Sequence, residues 1–125
     1  MPRGWVVSKE LGRGAFGRAL LVKKDGVTAV MKEISLEGMP ASERKAAQSE
    51  VSVLKKLRSH PNIVSFMDSF MEGKKLHIVM EWAREGDLAA VIKKTKASRL
   101  KLEEDRVLTI FFQCCAALHF MHEHN

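Results

Sequence analysis

The chain has 125 residues, 46% of them hydrophobic and 29% charged, which is the balance of one globular domain or part of one and excludes a disordered or fibrous chain. Its formal net charge is +6, but the basic residues are scattered in small groups such as Lys23-Lys24 and Lys74-Lys75 and are not interleaved with aromatics. They read as a solvated surface, so no nucleic-acid partner is expected. The N-terminus lacks a signal-peptide pattern and no apolar run approaches membrane-spanning length, so no membrane partner is expected and the location reads as intracellular and cytoplasmic. Cys114 and Cys115 are adjacent in a helical pattern, where disulfide geometry is hard to reach. They have no metal-ligand partners at suitable spacing, and they are expected to be buried thiols in a reducing compartment.

In chain order, residues 5–11, 18–24 and 27–35 read as three antiparallel strands. Asp25-Gly26, flanked by apolar and β-branched residues, is a hairpin turn between the second and third. Gly38-Met39-Pro40 breaks the chain, and Ser42 is expected to cap a helix running to about Arg58. Val51, Val53, Leu54 and Leu57 read as its apolar stripe. Ser59-His60-Pro61-Asn62 stops it. Residues 63–70 and 76–82 read as a second hairpin through Glu72-Gly73-Lys74-Lys75. After a turn at Gly86, Asp87 caps a short helix from Leu88 to Lys94, and Lys96 to Lys101 form a basic loop. Glu103-Glu104-Asp105 places acid at the start of a last helix, where the helix dipole favours it. That helix carries apolar residues at Leu108, Phe111, Cys115 and Leu118, and again at Val107, Cys114 and Met121, a stripe wide enough to belong against a core.

The stretch Leu11-Gly12-Arg13-Gly14-Ala15-Phe16-Gly17-Arg18-Ala19 has glycines at G-x-G-x-x-G spacing. Without a Cβ, such a backbone can approach phosphates closely. A dinucleotide fold needs a helix straight after these glycines. Here the Asp-Gly hairpin follows instead, so the glycines form a hairpin tip between strands, and the third strand carries Lys32, fifteen residues after Gly17. Glu37 stands where a dinucleotide fold would put its ribose acid, but no helix lies between. The pattern G-x-x-x-x-G-K-[ST] is absent.

Strand, glycine-rich turn, strand, Asp-Gly turn and a strand with lysine resembles the opening of a protein kinase. The resemblance extends through Val30-Met31-Lys32-Glu33-Ile34, Ser49-Glu50-Val51-Ser52-Val53-Leu54, His60-Pro61-Asn62-Ile63-Val64, Ile78-Val79-Met80-Glu81 and Glu85-Gly86-Asp87-Leu88. Ala19 and Lys32-Glu33-Ile34 are similar to the NIMA-related serine/threonine kinases in particular. It implies an α+β fold: a kinase-like small lobe (five antiparallel strands and one helix) over residues 1–82, a hinge at 83–86, and the first two helices of a large lobe over 87–125.

The resemblance also implies a site for ATP, with a protein as the second substrate. Lys32 would reach the α- and β-phosphates, and Glu50, on the helix at 42–58, would be its partner; Glu43 lies too near the helix end. If both groups are partly buried, losing one would leave the other unpaired at a cost of roughly 3–5 kcal/mol. Gly12, Gly14 and Gly17, with Arg13, Ala15 and Arg18, would surround the phosphates, and Phe16 would cover them. Leu11, Ala19 and Ala29 would be lid and floor for adenine. Met80 would control access to the back pocket. The backbone at Glu81 and Ala83 would bond adenine, and Asp87 would either meet the ribose or cap its helix. Leu54 and Phe66 resemble spine residues. His60, and the run His119, His122, His124, read as non-ligands.

The 125 residues contain no H-R-D-x-x-x-x-N and no D-F-G. Those segments supply the base and the magnesium ligands, so the Mg2+ ligands are expected outside this chain and the chain alone is expected to be inactive; it is also expected to be poorly soluble, because the stripe of its last helix has no large lobe to bury it. The reading is an ATP-dependent serine/threonine kinase by family. The alternatives are a pseudokinase or nucleotide-binding scaffold and, from charge alone, a nucleic-acid module.

Overall fold

The computed structural model describes residues 2–15, 17–57 and 60–124. Phe16, Arg58 and Ser59 lie outside these, and with them the expected cover over the phosphates. After a short 3-10 turn at Pro2–Gly4, the order is β1 (Val6–Arg13), β2 (Gly17–Lys24), β3 (Val27–Ser35), α1 (Ala41–Lys56), β4 (Phe66–Glu72), β5 (Lys75–Glu81), α2 (Leu88–Ala97) and α3 (Glu104–His124). The strands form one antiparallel sheet in the order β1-β2-β3-β5-β4. This is the α+β layout expected of a kinase-like small lobe with early large-lobe helices.

Turn chemistry explains the first hairpin. Asp25 and Gly26 both have positive φ, 49° and 80°, as a two-residue hairpin turn requires, and β2 and β3 pair without a slip from Lys24↔Val27 to Gly17↔Ile34. β1 runs two residues further than the apolar pattern indicates and ends inside the glycine stretch at Arg13. β4 begins at Phe66, not at residue 63.

Strand alternation sorts the core onto two faces. One face buries Leu20, Val22, Ala29, Met31, Phe70 and Val79 beneath Trp5. The other buries Ile34, Phe66, Leu76 and Ile78 against Leu36, Met39 and α1, with Leu54 partly buried beside them. Thus Leu54 and Phe66 share one core. On α1, Ala47, Val51 and Leu54 turn inward, at i, i+4 and i+7. Val53 does not join them and is 45% exposed, because two residues along a helix lie on opposite flanks. Leu57, just past the helix end, is buried.

The helices correct three expectations. Ser42 is not the cap of α1: Pro40 holds that position, without a side-chain cap, and Ser42 lies inside the first turn. Proline's fixed φ sets the entry, and the Pro40 carbonyl accepts from Arg44 N–H at 3.0 Å. α2 continues to Ala97 and takes in part of the expected basic loop. α3 buries no residue, and Phe111 and Phe112 are exposed. Cys114 and Cys115 are therefore exposed free thiols, not buried ones, because their helix lies against no core among the described residues. Among the described residues, no helix is long and apolar enough to cross a membrane.

Candidate functional site

The glycine-rich turn, β3 and the start of the α1 layer enclose a cleft of about 550 Å³, within the range of small-molecule sites. Of the residues singled out by sequence, it brings together Gly12, Gly14, Gly17, Arg18, Ala19, Lys32 and Met80. The turn closes on itself through Gly14 N–H donating to the Gly17 carbonyl at 2.7 Å. Gly17 has a steric reason to be glycine: a Cβ there would run into the carbonyl oxygen of Glu33 on β3. That close approach lets β2 and β3 pair right up to the turn.

Lys32 enters from β3. Its Nζ donates to Glu50 Oε1 at 3.0 Å, across from α1. The predicted partner is the observed one, and Glu43 is not involved. Both side chains are nearly half exposed, at 44% and 43%. The pair is thus worth about 0–1 kcal/mol, as exposed pairs are, and the cost of roughly 3–5 kcal/mol expected for leaving a partly buried partner unpaired does not apply. Water competes for both charges.

Other sequence expectations fall elsewhere. Ala29 is fully buried among Trp5, Met31 and Val79 on the opposite face of the sheet, and Val30 takes its place on the cleft wall. Alternation dictates this: Val30, Lys32 and Ile34 share one face of β3, while Ala29 and Met31 share the other. Leu11 sits at an irregularity between the pairs Glu10↔Leu20 and Gly12↔Ala19 and is not on the cleft lining. Arg13 and Ala15 line a neighbouring polar cavity of about 350 Å³. Glu81 is not on the lining either; its backbone and carboxylate both engage Ser65, with Glu81 N–H donating to the Ser65 carbonyl at 2.9 Å and Ser65 N–H donating to Oε1 at 3.1 Å. Ala83 accepts from Gly86 N–H at 3.1 Å. Asp87 caps α2, accepting from Ala90 N–H at 2.8 Å, which is the second of its two sequence readings. Val30, Glu33, Ile34 and Met39 line the cleft and were not singled out by sequence as site residues. Val30 and Ile34 follow from counting by twos from Lys32; Met39, in a chain break, carries no such signal.

Glu33 supplies the strongest electrostatics beside the cleft. Burial alone would push its carboxyl up. Hydrogen bonds from Arg18 and His77, with the charges of Arg18 and Lys75, outweigh burial and hold it below its ordinary value. The hydrogen bond to Glu33, and its charge, raise Arg18 further. Among the described residues, no group of three or more His, Cys, Asp or Glu side chains is placed to hold a metal ion.

The profile of the protein kinase domain matches residues 5–125. The chain is 40% identical over 119 residues to a probable serine/threonine-protein kinase nek3 of Dictyostelium discoideum, an overlap covering 94% of this chain and 10% of that protein. It is 41% identical over 119 residues to serine/threonine-protein kinase Nek5 of Homo sapiens, covering 94% and 16%. Against serine/threonine-protein kinase Nek8 of Danio rerio the identity is 44% over 117 residues, covering 92% and 16%. The chain thus spans 10–16% of the length of these relatives. With a kinase-like sheet and helix order and a profile match over nearly its whole length, the chain belongs to the protein kinase family and resembles its NIMA-related serine/threonine members.

Proposed function

We propose that this chain is the nucleotide-holding part of an ATP-dependent serine/threonine protein kinase, small lobe over 1–82, hinge at 83–86 and the start of the large lobe over 87–125. The observation that carries it is Lys32, on the cleft wall behind three closely spaced glycines, paired at 3.0 Å with Glu50 from a different element. A cation fixed by a carboxylate beside open backbone suits polyphosphate. The cleft's size and its mix of apolar wall and single lysine fit a nucleotide. ATP, when bound, supplies the γ-phosphoryl group that passes to a protein hydroxyl.

The chain's own residues have binding and orienting roles. Lys32 neutralises phosphate charge, and Glu50 holds the ammonium in place. The backbone of Gly12, Gly14 and Gly17 lies against the phosphates. Ala19, Val30 and Met80 form apolar wall for the adenine ring, and the backbone at Glu81 and Ala83 meets its polar edge. Nothing in the 125 residues matches the family's base or its magnesium-holding segments, so the chain alone positions a nucleotide without transferring phosphate.

Calorimetric titration of the purified chain with ATP tests the binding claim. Saturable binding that Lys32→Met weakens about tenfold or more is expected. An affinity that K32M leaves unchanged would overturn it. Incubation with labelled ATP and a serine-rich protein should show no transfer, and transfer abolished by K32M would overturn the claim of inactivity.

A further inference from the structure

One transverse row crosses all five strands. Arg13 on β1 lies opposite Arg18 on β2, Arg18 opposite Glu33 on β3, Glu33 opposite His77 on β5, and His77 opposite Phe70 on β4. The centre of the row is bonded side chain to side chain. Arg18 Nε donates to Glu33 Oε1 at 2.9 Å, and His77 Nε2 lies 3.2 Å from Glu33 Oε2. Lys75 Nζ adds a longer contact to Oε1 at 3.5 Å. The His77 side chain is 3% exposed, stacks on Phe70 at 14°, and has no partner for Nδ1. Its ring is therefore fixed by packing on one side and by Glu33 on the other.

This row ends at the glycine turn. Arg18 follows Gly17, the residue whose backbone presses on Glu33 itself. Glu33 thus meets the base of the turn twice, through its carbonyl at Gly17 and through its carboxylate at Arg18. Arg18 is bonded by Glu33, and the Glu10 charge adds a lesser attraction. With Glu33 fixed in turn by a buried histidine, the base of the turn is tied to the third strand in.

We propose that Glu33 is a positioning residue for the nucleotide cleft: held by His77, it fixes Arg18 and so sets where the glycine-rich turn closes. The inference rests on the ATP reading of the cleft for its functional consequence, but not for the state of the turn. Arg18 and Glu33 both reach the cleft lining, so a joint at the cleft's edge, anchored on the buried His77, would thereby control the glycine-rich turn.

The test uses the 125-residue chain with Glu33→Gln, Arg18→Gln and the double variant, each read three ways: thermal midpoint, amide hydrogen exchange at Gly14 without nucleotide, and ATP affinity. Gly14 N–H is the reporter because its bond to the Gly17 carbonyl closes the turn. Faster Gly14 exchange is expected in both single variants, with ATP weakened about three- to tenfold and the double variant no worse than either single one. Arg18→Lys, which keeps the charge, should fall between and covers the case in which E33Q unfolds. Gly14 exchange equal to wild type in every folded variant overturns the proposal. So do ATP losses that add in the double variant, because Arg18 and Glu33 would then act separately. Wild type that shows no ATP binding overturns the nucleotide reading by itself, and the exchange arm still decides whether Glu33 holds the turn.

Discussion

Lys32 and Glu33 are neighbours on β3 that face opposite sides of the sheet, and each holds an ion pair. The lengths hardly differ, 3.0 Å for Lys32–Glu50 and 2.9 Å for Arg18–Glu33. The surroundings do. The Lys32 pair is nearly half in water on both sides, whereas the Glu33 carboxylate is 14% exposed and also meets His77 and Lys75. The partners also differ in how firmly they are held. Arg18 and His77 sit on adjacent strands in direct register, while Glu50 rides on α1, which buries only Val51 along its length. Distance alone therefore says little about an ion pair. A pair half in water on a lightly held helix can break and re-form at small cost, which suits a charge that has to serve a ligand. A buried, multiply bonded carboxylate suits a joint between strands.

Breaking the Glu33 joint should have the largest effect on stability. Glu33→Ala removes the acceptor for Arg18 and for buried His77, and the expected loss is about 2–3 kcal/mol, below the range for fully buried pairs because Arg18 is partly in water. Urea unfolding at neutral pH measures it, and a loss like that of an exposed pair would erase the contrast. Acid should reach the same joint from another direction. The Glu33 carboxyl titrates below its ordinary value of 4.5 when folded, so the unfolded chain takes up the proton first as pH falls. Its stabilisation is therefore present in full above about pH 4.5 and is lost as pH drops through the lowered folded value. Unfolding curves between pH 7 and pH 3 should fall more steeply below 4.5 for wild type than for Glu33→Gln. Parallel curves would mean that the joint contributes nothing.

The inner side of this comparison was more legible in the sequence than the outer. Three glycines, an Asp-Gly turn and a strand lysine are local signals, and they located the cleft, the hairpin and Lys32. Glu50 followed from its place midway along one helix. Ala29 has the small side chain that an adenine floor needs, but strand alternation turns it to the opposite face and assigns Val30 to the cleft. The outer row was not legible. It depends on the register of β3 against β5, and Glu33 and His77 are 44 residues apart with nothing local to align them. Nor could the pattern in α3 say what covers it: the stripe expected against a core stays exposed, with Phe111, Phe112 and both cysteines facing outward among the described residues. Periodicity reports which side of a helix is apolar, not whether a partner is present.

The smallest stability change belongs to the inner pair, and there the comparison becomes sharpest. Lys32→Met and Glu50→Gln should each alter the unfolding free energy by less than about 1 kcal/mol, since the charge left behind can turn to water. Met retains much of the lysine stem's apolar surface, so packing loss adds little. Yet K32M is the variant expected to lose ATP binding, and E50Q should weaken binding less, because it leaves the ammonium in place but unfixed. Paired measurements of urea midpoint and ATP affinity on the same samples check this. Large ligand effects with small stability effects at Lys32, beside smaller ligand effects with larger stability effects at Glu33, would separate a charge kept available for a ligand from one committed to the sheet. A K32M chain destabilised as much as Glu33→Ala would instead make Lys32–Glu50 a structural tie, and the half-exposed geometry would then have to close further in solution.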